Sequence, residues 1–196
     1  PMKKYLFLSI LCLSIITLQA QKLDMNLMND LKPRNIGPAG MSGRVTAIEV
    51  NLSNTNIIYA GTASGGIWKS TNEGTTWAPI FEDKKAASIG ALAIYQKNPD
   101  IIWAGTGEGN PRNSLNGGYG LYKSIDGGRS WEEMGLENTR HIHRIITHPN
   151  NPDIVYIGAI GSPWGAHPER GVYKTTDGGK TWDQILFTNQ HSGVAD

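Results

Sequence analysis

A chain of 196 residues with 18 basic and 17 acidic side chains has no surplus of positive charge with which to grip a nucleic-acid backbone, so no nucleic-acid partner is expected. A single cysteine, Cys12, leaves neither a disulfide framework nor a thiolate metal site. The expected cofactor complement is none.

In chain order, residues 1–20 read as a bacterial-type secretory signal: Lys3 and Lys4 precede an apolar run from Tyr5 to Leu18, and the small Ala20 stands before Gln21. That run is short for a bilayer span and no second one follows, so cleavage is expected, with no membrane span after signal removal. Cys12 follows Leu11 rather than a small residue, which argues against lipoprotein attachment. Removal would leave 16 basic residues against 17 acidic and no cysteine, in a protein that is secreted, periplasmic or at the cell surface. Residues 21–40 form a lead-in.

From residue 41 the sequence repeats with a period near fifty residues, which points to a radial repeat architecture. Each unit opens on a predicted strand: Arg44 to Val50, Ile89 to Tyr95, and Arg144 to His148. A second follows in register at Ile57 to Thr62, Ile101 to Thr106 and Ile154 to Ala159, after turns such as Asn98-Pro99-Asp100 and Asn151-Pro152-Asp153. The third strands, Gly66 to Ser70, Gly120 to Ser124 and Gly171 to Thr175, alternate large apolar with polar residues. No helical period intervenes. The expected fold is all-β, a β-propeller of four-stranded antiparallel blades at residues 41–82, 87–135 and 142–187. Ser192-Gly193-Val194-Ala195 aligns with Ser42-Gly43-Arg44-Val45 and with Ser88-Ile89-Gly90-Ala91, so a fourth blade is expected to begin near residue 192 and the propeller to be incomplete.

Between third and fourth strands each unit carries Ser/Thr-x-Asp/Asn-x-Gly-x-x-Trp. The members are Ser70, Asn72, Gly74 and Trp77; Ser124, Asp126, Gly128 and Trp131; Thr175, Asp177, Gly179 and Trp182. The glycine supplies positive φ, the Asp or Asn and the hydroxyl bond the turn's amides, and the Trp packs between blades, burying on the order of 200 Å². Gly127 and Gly178 loosen the turn further, whereas Glu73 does not. Carboxylates at three separated points of a ring cannot form one active site, so the motif is read as structural.

The opposite face carries the loops between second and third strands. Its longest stretches, Gly107 to Gly118 and Gly161 to Arg170, offer Glu108, Arg112, Trp164, His167, Glu169 and Arg170 as a candidate ligand surface, with Trp164 able to stack on a sugar ring. His141 and His143 sit at alternate positions and are expected to point the same way, a pairing suited to hydrogen bonding at the channel mouth; no third ligand completes a metal site. Arg44 and Arg144 are read as comparable starts of inner strands that could line the channel as anion donors or pair with neighbouring acids.

The repeat resembles the BNR/Asp-box proteins, among them sialidases, xyloglucan-cleaving glycoside hydrolases and the sortilin (VPS10) ectodomain propeller. It is similar above all to large secreted bacterial sortilin-like or BNR-like glycosyl hydrolase proteins, through Arg34-Asn35-Ile36-Gly37-Pro38, Gly61 to Ser70 and Gly171 to Gly179. The resemblance covers residues 33–196. It implies a catalytic Asp in a Thr-Asp-x-Gly-Gly segment of the first blade in the xyloglucan-cleaving enzymes, but the equivalent position here is Ala63; the sialidase Arg-Ile-Pro is also missing. No catalytic set transfers. Two functions stay open: a recognition propeller for a carbohydrate or a peptide or protein ligand, and a glycoside hydrolase whose carboxylates come partly from elsewhere.

Overall fold

Short β-rich runs separated by Asn, Pro and Asp turns satisfy their backbone by pairing with their neighbours in sequence. The computed structural model describes residues 43–110, 113–194 and 196; the expected signal and lead-in lie outside them. Its strands are β1 (Val45–Val50), β2 (Ile58–Thr62), β3 (Ile67–Ser70), β4 (Ala78–Pro79), β5 (Ile89–Ile94), β6 (Ile102–Thr106), β7 (Leu121–Ser124), β8 (Glu132–Glu133), β9 (Ile142–Thr147), β10 (Val155–Ala159), β11 (Gly171–Thr175) and β12 (Asp183–Leu186). They form three four-stranded sheets, β1-β2-β3-β4, β5-β6-β7-β8 and β9-β10-β11-β12, each an antiparallel meander. Among the described residues the only helical element is a 3-10 turn at Glu137–Thr139. The all-β, blade-by-blade expectation therefore holds.

The register corrects three alignments. Val45 pairs with Thr62, Ile89 with Thr106 and Ile142 with Ala159, so these three residues are equivalent and the third inner strand starts at Ile142 rather than Arg144. Arg144 pairs with Gly158, as Ala47 pairs with Gly61 and Ala91 with Gly105, so it is not the counterpart of Arg44. A β-bulge recurs one residue into each inner strand, at Thr46, Gly90 and His143, so the three keep a common register, and Arg44 stands before that bulge whereas Arg144 stands after it.

Blades stack through a glycine in each second strand. A Cβ on Gly61 would stand 2.6 Å from Ile89 Cγ2, one on Gly105 2.4 Å from Ile142 Cγ2, and one on Gly158 2.9 Å from Val194 Cγ1. The bare glycine admits a branched side chain from the next inner strand, and Val194 takes the place of Ile89 and Ile142. Val194 is thus equivalent to Val45, one position from the alignment read in the sequence. The β5 run Ile-Gly-Ala-Leu-Ala-Ile has no polar residue and is buried throughout, because the middle blade is covered on both faces. One apolar cluster joins the first two blades around Tyr59, Phe81, Ile89 and Trp131; a second joins the last two around Trp103, Ile142, Ile157 and Tyr173.

The repeated turn closes locally. Ser124 Oγ donates to Asp126 Oδ1 at 2.8 Å and accepts from the Gly128 N–H at 2.8 Å, and the Ser130 hydroxyl donates to Asp126 Oδ2 at 2.6 Å. Thr175, Asp177 and Thr181 repeat this. In the first blade the last bond is reversed, the Asn72 amide donating to Thr76 Oγ1 at 2.9 Å. The hydroxyl just before each Trp, at Thr76, Ser130 and Thr181, belongs to the motif and is visible in the sequence, although the pattern as read omits it. Glu73 does take the left-handed conformation, φ 57°, alongside Gly127 at 70° and Gly178 at 76°, so it accepts strain where the others have none. Lysines tie the turns across blades: Lys69 Nζ donates to Gly127 O and Lys123 Nζ to Gly178 O, at 2.8 and 2.9 Å.

Trp131 Nε1 donates to Ile80 O and Trp182 Nε1 to Met134 O, each bridging to the preceding blade. Trp77 departs from the expected inter-blade role. It is 40% exposed and donates to Gly74 O in its own turn, since no blade precedes it among the described residues. Trp131→Ala should cost about 3–5 kcal/mol and Trp77→Ala roughly 1 kcal/mol in chemical denaturation, because only the former empties an inter-blade site. Equal losses would contradict the bridging role.

Hydrogen bonds from the Ser130 hydroxyl and amide hold the Asp126 carboxyl well below the usual carboxylate range, and Thr181 does the same for Asp177. A depressed folded-state value stabilises the turn above the unfolded value of about 3.9, and the contribution fades as pH falls below it. Asp126→Asn, which imitates Asn72, should flatten the fall of Tm below about pH 4. An unchanged slope would rule out this carboxylate as a source of acid sensitivity.

Candidate functional site

The carbonyls of Arg44, Ser88 and His141 accept from the amides of Ala63, Gly107 and Ile160 at 3.0, 2.8 and 2.9 Å, which fixes the three as equivalent positions of successive blades. All three converge on Glu108. Arg44 Nε and Nη2 donate to its two carboxylate oxygens at 2.7 and 2.5 Å. Ser88 Oγ accepts its N–H at 3.0 Å, and His141 Nδ1 meets its carbonyl oxygen at 2.7 Å. Asn116, which the sequence reading passed over, draws the returning strand of the loop across the first blade. Its side-chain amide donates to Ala63 O at 3.1 Å and its carbonyl accepts from Ser88 Oγ at 3.1 Å.

Glu108, expected on an open loop, is instead fully buried, its side chain 0% exposed. The Arg44 guanidinium is committed to it and is not a free anion donor in the channel; the bond raises the Arg44 pKa. Arg144 stands apart on the outer side of the register, half exposed, with Nε donating to Asp196 Oδ1 at 2.5 Å. Arg170 is buried too and braces its own loop, with Nη2 donating to Ser162 O and, at 3.0 Å, to Gly165 O. Glu169 accepts from the Tyr173 hydroxyl at 3.1 Å. His167 anchors its loop through an N–H to Gln190 O at 2.9 Å, and burial lowers its pKa. Trp164 is 69% exposed beside Pro163. Arg112 lies outside the described residues.

A cleft of about 250 Å³ opens over this node, lined by Glu108, Gly109, Leu115, His141, His143, Ile160, Pro163, Gly193 and Val194. His141 and His143, expected to face the same way, are brought together in one wall. Burial, the largest cause, lowers both their pKa values. Among the described residues no group of three His, Cys, Asp or Glu side chains is placed to hold a metal ion. Ala63 is buried and carries no carboxylate into the cleft. Among the described residues that line the cleft Glu108 is the one that carries a carboxylate, and both its oxygens are occupied. Truncating Arg44 to Met would strand that carboxylate out of water, whereas the Arg44→Met/Glu108→Gln double variant removes the stranded charge. The double variant should melt above the single one by differential scanning calorimetry; the reverse order would show that the pair does not hold the loop.

No protein-family model matches the sequence. A curated xyloglucanase from a Paenibacillus species is 25% identical over 177 residues, covering 83% of this chain and 16% of its own length. The structure of an ancestral GH74 enzyme is 28% identical with a TM-score of 0.56, over 74% of this chain and 19% of its own. A GH74 enzyme from Niastella koreensis is 26% identical with a TM-score of 0.54, over 71% of this chain and 21% of its own. The chain therefore spans between 16% and 21% of the lengths of these relatives. By these likenesses the chain, all-β and propeller-like in its blades, is similar to the β-propellers of GH74 glycoside hydrolases.

Proposed function

We propose that the loop face of these blades is the glycan-recognition surface of a secreted, Asp-box-type propeller protein of the kind that includes the sortilin-like and BNR-like proteins. The observation that carries this reading is the cleft over Glu108. Aliphatic groups of Leu115, Ile160, Pro163 and Val194 form part of its wall, and the imidazoles of His141 and His143 form another. Apolar surface with a few fixed polar groups suits a sugar, whose ring faces are apolar and whose edges carry hydroxyls. The exposed indole of Trp164, next to a cleft residue, adds a stacking platform. The Lys3-Lys4 and Tyr5–Leu18 signal gives the route of export, which N-terminal sequencing of the mature protein checks.

Hydrolysis is the second reading, favoured by the xyloglucanase relative. Glycoside hydrolysis uses two carboxyl groups roughly 5–9.5 Å apart. The cleft offers one, already held by Arg44. Catalysis by this protein would then draw its acid and base from another part of the polypeptide.

On a glycan array with full-length protein, Trp164→Ala should weaken binding about tenfold, the scale of one lost stacking contact of roughly 1.4 kcal/mol. Undiminished binding by that variant would remove Trp164 from the site.

A further inference from the structure

The carbonyl oxygen of Glu108 can only accept a hydrogen bond, so its 2.7 Å contact with His141 places the ring proton on Nδ1. The neutral ring then keeps its lone pair on Nε2. His141 lines the cleft with Nδ1 turned to the backbone, which leaves Nε2 as the nitrogen available there. His143 follows along the same wall, seated against a glycine: a Cβ on Gly109 would stand 2.3 Å from His143 Nδ1. A volume of about 250 Å³, below the roughly 300–1,000 Å³ of drug-sized ligand sites, has room for one sugar ring. Among the described residues no unpaired carboxylate lines the wall to attract a cation. The Glu108 charge is matched by Arg44.

We propose that the cleft is a subsite for a single uncharged pyranose ring, in which His141 Nε2 accepts the proton of a sugar hydroxyl. The proposal rests on the glycan reading above and names the ring's chemistry and the residue that selects it. An imidazolium has no lone pair, so protonating His141 removes the acceptor and turns its Nε2 into a donor. The charged and titratable groups acting on the ring are Arg140 beside it, Glu108 with its partner Arg44, and His167. Burial outweighs the opposing hydrogen bond to Glu108 and lowers the His141 pKa, so the ring is neutral at pH 7 and gains its proton below its ordinary value of about 6.5. Ligand affinity should fall as pH falls through that lower range.

The test uses the full chain with a xyloglucan oligosaccharide as probe, titrated calorimetrically from pH 7.5 downward, together with two-bond ¹H–¹⁵N spectra of the imidazoles. The Nδ1–H tautomer should be seen for His141 at pH 7.5, and affinity should fall at whatever lower pH the spectra show the ring to have gained its second proton. His141→Gln, which keeps a neutral side chain, should lose the part of the pH dependence that tracks the His141 titration, and Gly109→Ala should weaken binding by displacing His143. An Nε2–H tautomer, or unchanged affinity at a pH where the spectra show His141 doubly protonated, overturns the role of His141 and leaves the glycan reading standing. Failure of the wild type to bind the oligosaccharide at any pH overturns that glycan reading and the subsite with it. The tautomer is read on the unsubstituted protein, so the outcome does not depend on any variant folding.

Discussion

A carboxylate removed from water must find donors, and Glu108 finds both of its own on one side chain of another blade, Arg44. Arg44, Ser88 and His141 occupy one structural position three times over, and each holds a different part of the same residue: carboxylate, amide and carbonyl. An uncompensated buried charge is among the costliest groups a fold can hold, so the loop from Gly107 has one arrangement in which it is tolerable. That arrangement fixes the relative positions of the three inner strands at this face. It also leaves the backbone beside Glu108 as a rigid floor for the cleft.

The two faces of the blades solve the same problem in opposite ways. On the turn face every blade satisfies itself, with a hydroxyl, a carboxylate or amide, and a second hydroxyl within seven residues of sequence, and a lysine and an indole reach the neighbour afterwards. Local closure of that kind repeats because each blade needs its own copy. On the loop face satisfaction is long-range and happens once: the equivalent positions Arg44, Ser88 and His141 are three different residues because they serve one partner. Repetition therefore marks the face that stabilises, and its breakdown marks the face that can recognise.

The same contrast explains what could be read in advance. Strand order, blade number and the turn motif were legible because they recur at one period and rest on local chemistry. The register of the inner strands was not, because likeness of residue type is a poor guide to position: Arg44 stands before the bulge that every inner strand carries, and Arg144 stands after it. The second hydroxyl of the turn was present in all three copies, at Thr76, Ser130 and Thr181, and a longer motif would have included it. The Arg44–Glu108 pair spans 64 positions and nothing in the sequence distinguishes that glutamate from exposed ones such as Glu132 and Glu133. Burial of a charge is a tertiary fact, and only the fold supplies it.

The state of Glu108 bears on catalysis as well as on stability. A general acid in glycoside cleavage must carry a proton that it can release to the leaving oxygen, and a nucleophile must present a free oxygen to the anomeric carbon. Bidentate engagement by Arg44 denies both roles, since each oxygen already accepts a hydrogen bond from the guanidinium. The polar side chains left facing the cleft are two imidazoles, of which His141 has its proton placed by the Glu108 carbonyl, and these are suited to reading hydroxyls. A site so built discriminates ligands by which oxygen donates and which accepts, while the only strong charge in its wall is spent on holding the wall in place.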